Sequence, residues 1–213
     1  MMKAAIFDMD GTLLDSMGMW RNVLPNYLKT LHIDFAGINS LVEKMSFMDA
    51  ATYLSQELNL GKTAEEIYAE VQASIVYQYD NTIELKPLVK EYLAQLRADN
   101  IPACIATLTD KYLAKRVLKR LGIYDYFEFI LTVGEVGQGK DEPLIYEESA
   151  KRLGLDKSQC VVFEDAPYAI VTAHNGGFTT YGVYDSWQKY SQDFIDKYCD
   201  KFIRGYEELL HKR

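Results

Sequence analysis

Four short stretches of the chain carry side chains that could act together on a charged substrate. The first is Asp8-Met9-Asp10-Gly11-Thr12. Residues two apart on an extended chain point the same way, so the two carboxylates share a face. Gly11 permits a sharp backbone turn just after them. The second is Thr107, which closes the apolar run ACIAT. The third is Lys140, which follows FEFILTV and a glycine-rich loop. The fourth is Glu164-Asp165, at the end of QCVVF. If these runs are neighbouring parallel strands, four carboxylates, one hydroxyl and one ammonium converge on one sheet edge. That edge is where open α/β sheets bind ligands. Carboxylates crowded together repel and are best tolerated around a cation. Oxygen-only ligation selects a hard ion, and Mg²⁺ is favoured because it keeps waters and pairs with phosphate. With Lys140 it would form a positive focus on an acidic protein, which suits a phosphate ester.

The elements needed to position these groups are legible in the hydrophobic pattern. Short apolar runs at 3–7, 103–107, 127–133, 159–163 and 179–184, with a weaker one at 199–204, read as strands. They mostly alternate with segments of helical period, which argues βα units and a mainly parallel sheet. Leu88, Val89, Tyr92, Leu93 and Leu96 share one helical face, with Pro87 in the position of a first-turn proline. Leu113, Val117, Leu118 and Leu121 form another, with Gly122 as a left-handed C-terminal cap. Leu144, Ile145 and Leu153 mark a third between Pro143 and Gly154. Residues 16–82 break the alternation. Met17, Trp20, Val23, Leu24, Tyr27, Leu28 and Leu31 mark an amphipathic helix, and Ala50–Leu60 a second. Thr63 and Glu66 form a capping box ahead of Ile67, Val71 and Ile75. The expected architecture is α/β: a Rossmann-like parallel-sheet core at 1–15 and 83–213, with an all-helical domain inserted at 16–82.

Composition narrows the functional classes. The chain has 213 residues, of which 48% are hydrophobic and 25% charged, enough for a packed core and unlike a disordered chain. Its net charge of -8 disfavours non-specific nucleic-acid binding, which depends on neutralising phosphates. No apolar run approaches the roughly 18–20 residues of a membrane span. MMKAAIFDMDG does not read as a signal peptide, because its apolar stretch ends at Asp8. Cys104, Cys160 and Cys199 lack CxxC spacing and read as free thiols of a cytoplasmic protein. Residues 134–141 nearly match a phosphate-binding P-loop, but Asp141 occupies the place of the required hydroxyl, where a carboxylate would repel phosphate. His32, His174 and His211 have no ligand spacing.

The motifs together resemble the haloacid dehalogenase superfamily of phosphotransferases. FDMDGTLLDS at 7–16, IAT at 105–107, GKDEP at 139–143 and VVFEDA at 161–166 look like its four ordered motifs. The helical insertion resembles the family's first cap class, as in phosphoglycolate phosphatase and β-phosphoglucomutase. The resemblance implies that Asp8 is the nucleophile and becomes an aspartyl phosphate. It implies that Asp10 protonates the leaving alcohol and then activates water. Thr107 and Lys140 would hold phosphoryl oxygens. Asp165 would bind Mg²⁺ with Asp8 and the Asp10 carbonyl, with Glu164 as a further contributor. One departure is the third motif, where the family's Lys-Pro-x-Pro is replaced by Lys140-Asp141-Glu142-Pro143.

The expected activity is Mg²⁺-dependent hydrolysis of a small phosphomonoester, and the alternative is a β-phosphoglucomutase-like sugar phosphomutase. Relatives of the mutase type grip a second phosphate with a cap arginine, and the matching position here falls near Phe47. Trp20, Arg21, Lys44 and Leu108 are candidates for substrate contact. The ordinary reading of Arg21 and Lys44 is a solvated helix charge, and Trp20 could equally serve packing. The segments 12–18 and 80–87 would be hinges for a closing cap. Partners are expected to be a small phosphate ester, with no nucleic acid and no membrane, and the protein a monomer or weak homodimer.

Overall fold

The computed structural model describes residues 2–33, 38, 47–58 and 60–211. Six strands form one parallel sheet: β1 (Ala4–Phe7), β2 (Ala103–Thr107), β3 (Ile130–Thr132), β4 (Cys160–Glu164), β5 (Thr179–Val183) and β6 (Lys201–Ile203), in the order β3-β2-β1-β4-β5-β6. The third is shorter than its apolar run. Pairing continues past its start through bonds from Glu128 N–H to the Ala103 carbonyl and from Ile105 N–H to the Phe129 carbonyl. β1, β2 and β4 are buried along their whole length, which is why they read as continuous apolar runs. Alternate residues supply opposite faces. Ala4, Ile6, Cys104, Ala106 and Val162 enter one core with Ile145, Tyr146 and Ala173. Phe7 enters the other, stacked on Phe163 at 4.4 Å and set edge-on to Tyr92 at 6.4 Å.

The strand order reverses direction at β1, with β2 on one side and β4 on the other. A crevice forms at such a switch point, at the carboxyl ends of the strands. Asp8 follows β1 directly, and its N–H donates to the Phe163 carbonyl of β4 at 2.9 Å. The sheet and the chain ends flanking the helical insertion form one compact unit, Met1–Met17 and Ile83–Arg213. Gly18–Thr82 forms a second.

Helices are α1 (Met17–Thr30), α2 (Phe47–Glu57), α3 (Ala64–Asn81), α4 (Val89–Ala98), α5 (Lys111–Arg120), α6 (Val133–Val136), α7 (Leu144–Arg152), α8 (Pro167–Asn175) and α9 (Gln192–Tyr198). In the second unit α3 starts at the expected capping box of Thr63 and Glu66 and buries Ile67, Val71, Ile75 and Tyr79. Trp20 donates its indole N–H to the Tyr79 hydroxyl at 3.1 Å. In the first unit α5 is capped by Leu121 and followed by Gly122, in the left-handed region at φ 67°. Pro87 lies before α4 rather than in its first turn, because Leu88 at φ 63° is the N-cap. The buried face of α7 is Ile145, Tyr146, Ser149 and Ala150, with Leu153 packed at its edge.

Candidate active site

The four stretches singled out in the sequence meet at the carboxyl ends of β1, β2 and β4. Lys140 is 2% exposed. Its ammonium is ion-paired to Asp8 Oδ1 and lies 2.6 Å from Glu164 Oε1. Asp8, Glu164 and Asp165 each present one carboxylate oxygen within 4.8 Å of the others, and all three are buried. Thr107 is buried at the end of β2, beside β1. Asp10 stands at the edge of this cluster, held by bonds from the Ser16 hydroxyl and the Thr109 hydroxyl, each at 2.7 Å.

Gly11 shows why the first motif needs its glycine. Its φ is 83°, a region that side chains strain to adopt, and a Cβ there would lie 2.6 Å from Asp165 Cγ. The turn can pass close to Asp165 only without a side chain. It then bonds back on itself, with the N–H groups of Leu13 and Leu14 both donating to the Met9 carbonyl at 2.9 Å. The hydroxyl of Thr12 donates to Asp165 Oδ1 at 3.2 Å.

Electrostatics at the cluster are dominated by burial. Burial raises the Asp8 carboxyl above its ordinary range, the Glu164 charge adds to this, and Lys140 opposes it. Burial also raises Asp165 well above the usual range, with Asp8 and Glu164 contributing. Burial alone would lower the Lys140 ammonium, but Asp8 and Glu164 outweigh it and hold the proton on. With all three carboxylates ionised, one ammonium leaves two negative charges uncompensated in a dry site. A set of hard oxygen donors with that deficit fits a divalent hard cation.

Several neighbours had no role from the sequence. Tyr146, fully buried, donates its hydroxyl to Glu164 Oε1 at 2.9 Å, and Ala166 N–H donates to Oε2 at 3.3 Å. Glu164 thus has protein partners on both oxygens. Thr109 donates its N–H to Thr107 Oγ1 at 3.0 Å. Gln188 and Tyr190 reach Asp165 from the loop after β5. Ser16 closes the first motif, and Thr109 lies two residues beyond the second. Ala166 ends the fourth, while Tyr146, Gln188 and Tyr190 lie outside the motifs. Of the substrate-contact candidates, Leu108 follows Thr107 and is 55% exposed. Trp20 and Arg21 belong to α1. Lys44 lies outside the described residues.

A family model described as haloacid dehalogenase-like hydrolase matches residues 2–177. The chain belongs to the haloacid dehalogenase-like hydrolases. Among relatives of this hydrolase, hexitol phosphatase B of Escherichia coli is 26% identical over 174 residues, covering 80% of this chain and 78% of that protein. The fructose-1-phosphate phosphatase YqaB of the same organism is 29% identical over 180 residues, covering 81% and 91%. The crystal structure of beta-phosphoglucomutase from Clostridium difficile superposes with a TM-score of 0.72 at 23% identity, covering 99% of this chain and 94% of that one. That likeness bears on the fold of the hydrolase alone.

Proposed function

We propose that this hydrolase is a phosphomonoesterase acting on a small phosphorylated carbohydrate, with Asp8 as nucleophile. The observation that carries the reading is the buried meeting of Asp8 with Lys140, Glu164 and Asp165 at the switch point of the sheet. The carbohydrate class is suggested by the relatives named as hexitol and fructose-1-phosphate phosphatases.

In this mechanism an Asp8 oxygen attacks phosphorus in line with the leaving alcohol. The Asp8–phosphoryl bond forms as the bond to the alcohol oxygen breaks. Lys140, fixed by Glu164, which Tyr146 holds in turn, places a permanent positive charge beside the attacked group. Thr107 Oγ1 accepts from Thr109 N–H, which leaves its own proton to give to a phosphoryl oxygen. Asp10, steadied by Ser16 and Thr109, delivers a proton to the departing alcohol. It then takes one from the water that opens the aspartyl phosphate. Asp8 and Asp165, with the Asp10 carbonyl, would hold Mg²⁺. Glu164, engaged by Lys140 and Tyr146, serves mainly to position the lysine. Bound Mg²⁺ supplies charge neutralisation between the carboxylate and the anionic ester.

Gly18–Thr82 would act as a cap, with the flanking segments as hinges and with Trp20, Arg21, Lys44 and Leu108 offering contacts to the alcohol. No helix among the described residues is long and apolar enough to cross a membrane. Three free cysteines suit a cytoplasmic setting. The test is a panel of phosphorylated sugars and polyols assayed with Mg²⁺ for release of inorganic phosphate. Release from at least one ester without a bisphosphate activator is expected. Strict dependence on a bisphosphate would favour the mutase, and no turnover across the panel would refute the reading.

A further inference from the structure

A second ion pair, with a buried carboxylate and a half-buried ammonium, lies in the sheet-bearing unit and takes no part in the mechanism above. Lys86 Nζ is 3.0 Å from Asp185 Oδ2, with side chains 13% and 3% exposed. Lys86 also donates to the Tyr184 carbonyl at 2.7 Å. A buried ion pair is weak evidence of stability, because desolvation offsets much of the attraction. Its connections suggest another purpose. Lys86 ends a short antiparallel pairing between the two segments that flank the helical insertion. There Asp15 N–H donates to the Glu84 carbonyl at 3.0 Å, and Lys86 N–H donates to the Leu13 carbonyl at 2.9 Å. Asp185 begins a tight bend, accepting the Trp187 N–H at 2.9 Å. That bend delivers Gln188, whose amide donates to Asp165 Oδ2 at 3.4 Å. Tyr190 follows, and its hydroxyl donates to the Asp165 carbonyl at 2.7 Å.

We propose that Lys86 and Asp185 are a positioning pair for Asp165, clamping the 184–190 loop to the paired flanking segments so that Gln188 and Tyr190 hold Asp165 ready for a divalent cation. The proposal rests on the metal reading given under the proposed function. One feature of the geometry supports it directly. The Thr12 and Gln188 bonds fall on different oxygens of Asp165, so together they fix the rotation of the carboxylate. Partners that orient a ligand from behind commonly change metal affinity 10- to 100-fold when removed.

The test uses the full chain with Mg²⁺ alone, without ester. Mg²⁺ is titrated and an apparent dissociation constant is obtained from the dependence of the melting temperature on its concentration. Asp185→Asn and Lys86→Met are expected to raise that constant by about 10-fold or more. Gln188→Ala, at a half-buried position, is expected to raise it by about two- to tenfold, the loss of one hydrogen bond. KM for an accepted ester at saturating Mg²⁺ should stay unchanged. A pair that is merely structural would lower the melting temperature without Mg²⁺ and leave the dissociation constant as in the wild type, which overturns the proposal. Should the two ion-pair variants fail to fold, a wild-type dissociation constant in Gln188→Ala overturns it equally. A wild type indifferent to Mg²⁺ would refute the metal reading itself, and this proposal with it.

Discussion

The two compact units solve different physical problems. In the sheet-bearing unit the strand ends bury Asp8, Thr107, Lys140, Glu164, Asp165 and Asp185, together with Thr12, Ser16 and Thr109. Among the described residues of Gly18–Thr82, the buried set is Val23, Leu24, Tyr27, Leu28, Ile38, Ala50, Ala51, Leu54, Ile67, Val71, Ile75 and Tyr79, with no charged side chain. Its ion pair between Lys62 and Glu70 stays at the surface, with side chains 30% and 44% exposed. Burying charge costs several kcal/mol per ion unless it is matched by partners. A unit that carries this load at a single edge keeps it for chemistry. A unit that carries none is built from the ordinary apolar stripe of amphipathic helices. On the proposed function, the difference separates a unit built for phosphoryl chemistry from a unit built for shape.

The sharpest way to break that division is to remove the proposed nucleophile. Asp8→Asn is expected to lower kcat by about 10⁴-fold or more while the circular dichroism spectrum stays native, because the attacking group is lost and the fold is not. A variant retaining a tenth of wild-type turnover with Mg²⁺ would end the assignment. Next in size is the comparison of the two kinds of ion pair by urea unfolding. Lys140→Met leaves Asp8 and Glu164 buried against each other without their cation and should cost about 3–5 kcal/mol in metal-free buffer. Lys62→Ala removes an exposed pair in the helical unit and should cost about 0.5 kcal/mol or less. Equal losses would mean that the burial contrast has no energetic content.

How far the sequence reaches follows the same division. The strands β1, β2 and β4 were legible because burial on both faces leaves uninterrupted apolar runs. Asp8 and the Glu164-Asp165 pair were legible because a charge placed just past such a run enters a dry region, where it is costly without a partner or ligand. Lys140 is separated from its run by a loop and was legible only through the motif it belongs to. Tyr146, Gln188 and Tyr190 were not. A tyrosine on a helix or a glutamine in a loop looks ordinary until the fold brings it to a carboxylate. Lys86 and Asp185 are invisible for the same reason, since only tertiary structure brings them together. The third strand was overread because Phe127 and Phe129 extend an apolar pattern beyond the strand itself.

Leu88 is a smaller case in which local pattern misled. It shares the helical spacing of Val89, Tyr92 and Leu93, yet it is 37% exposed and sits in the left-handed region at φ 63°. A bulky residue there is strained, and glycine is not. Leu88→Gly should stabilise the protein by up to about 1 kcal/mol, the relieved strain less the extra entropy of an unfolded glycine. A loss of stability in urea unfolding would instead mean that the leucine side chain makes up for its backbone.

The smallest effect expected lies in the helical unit and depends on pH. The Lys62 ammonium and the Tyr27 hydroxyl, which donates to Glu70 Oε2 at 2.8 Å, hold the Glu70 carboxyl below the usual range. The unfolded chain therefore binds a proton that the folded protein releases, so the interaction stabilises above the unfolded pKa and fades as pH falls through the folded one. Because the pair is exposed, it is worth only a few tenths of a kcal/mol. Wild type should exceed Glu70→Gln by that margin in urea unfolding at pH 7, and the gap should close as pH is stepped down, since a protonated glutamic acid then resembles glutamine. A gap that persists on the acid side would trace the stabilisation to packing at Tyr27 rather than to charge. A gap of several kcal/mol at pH 7 would place an energetically important charge in the helical unit, against the contrast drawn between the two units.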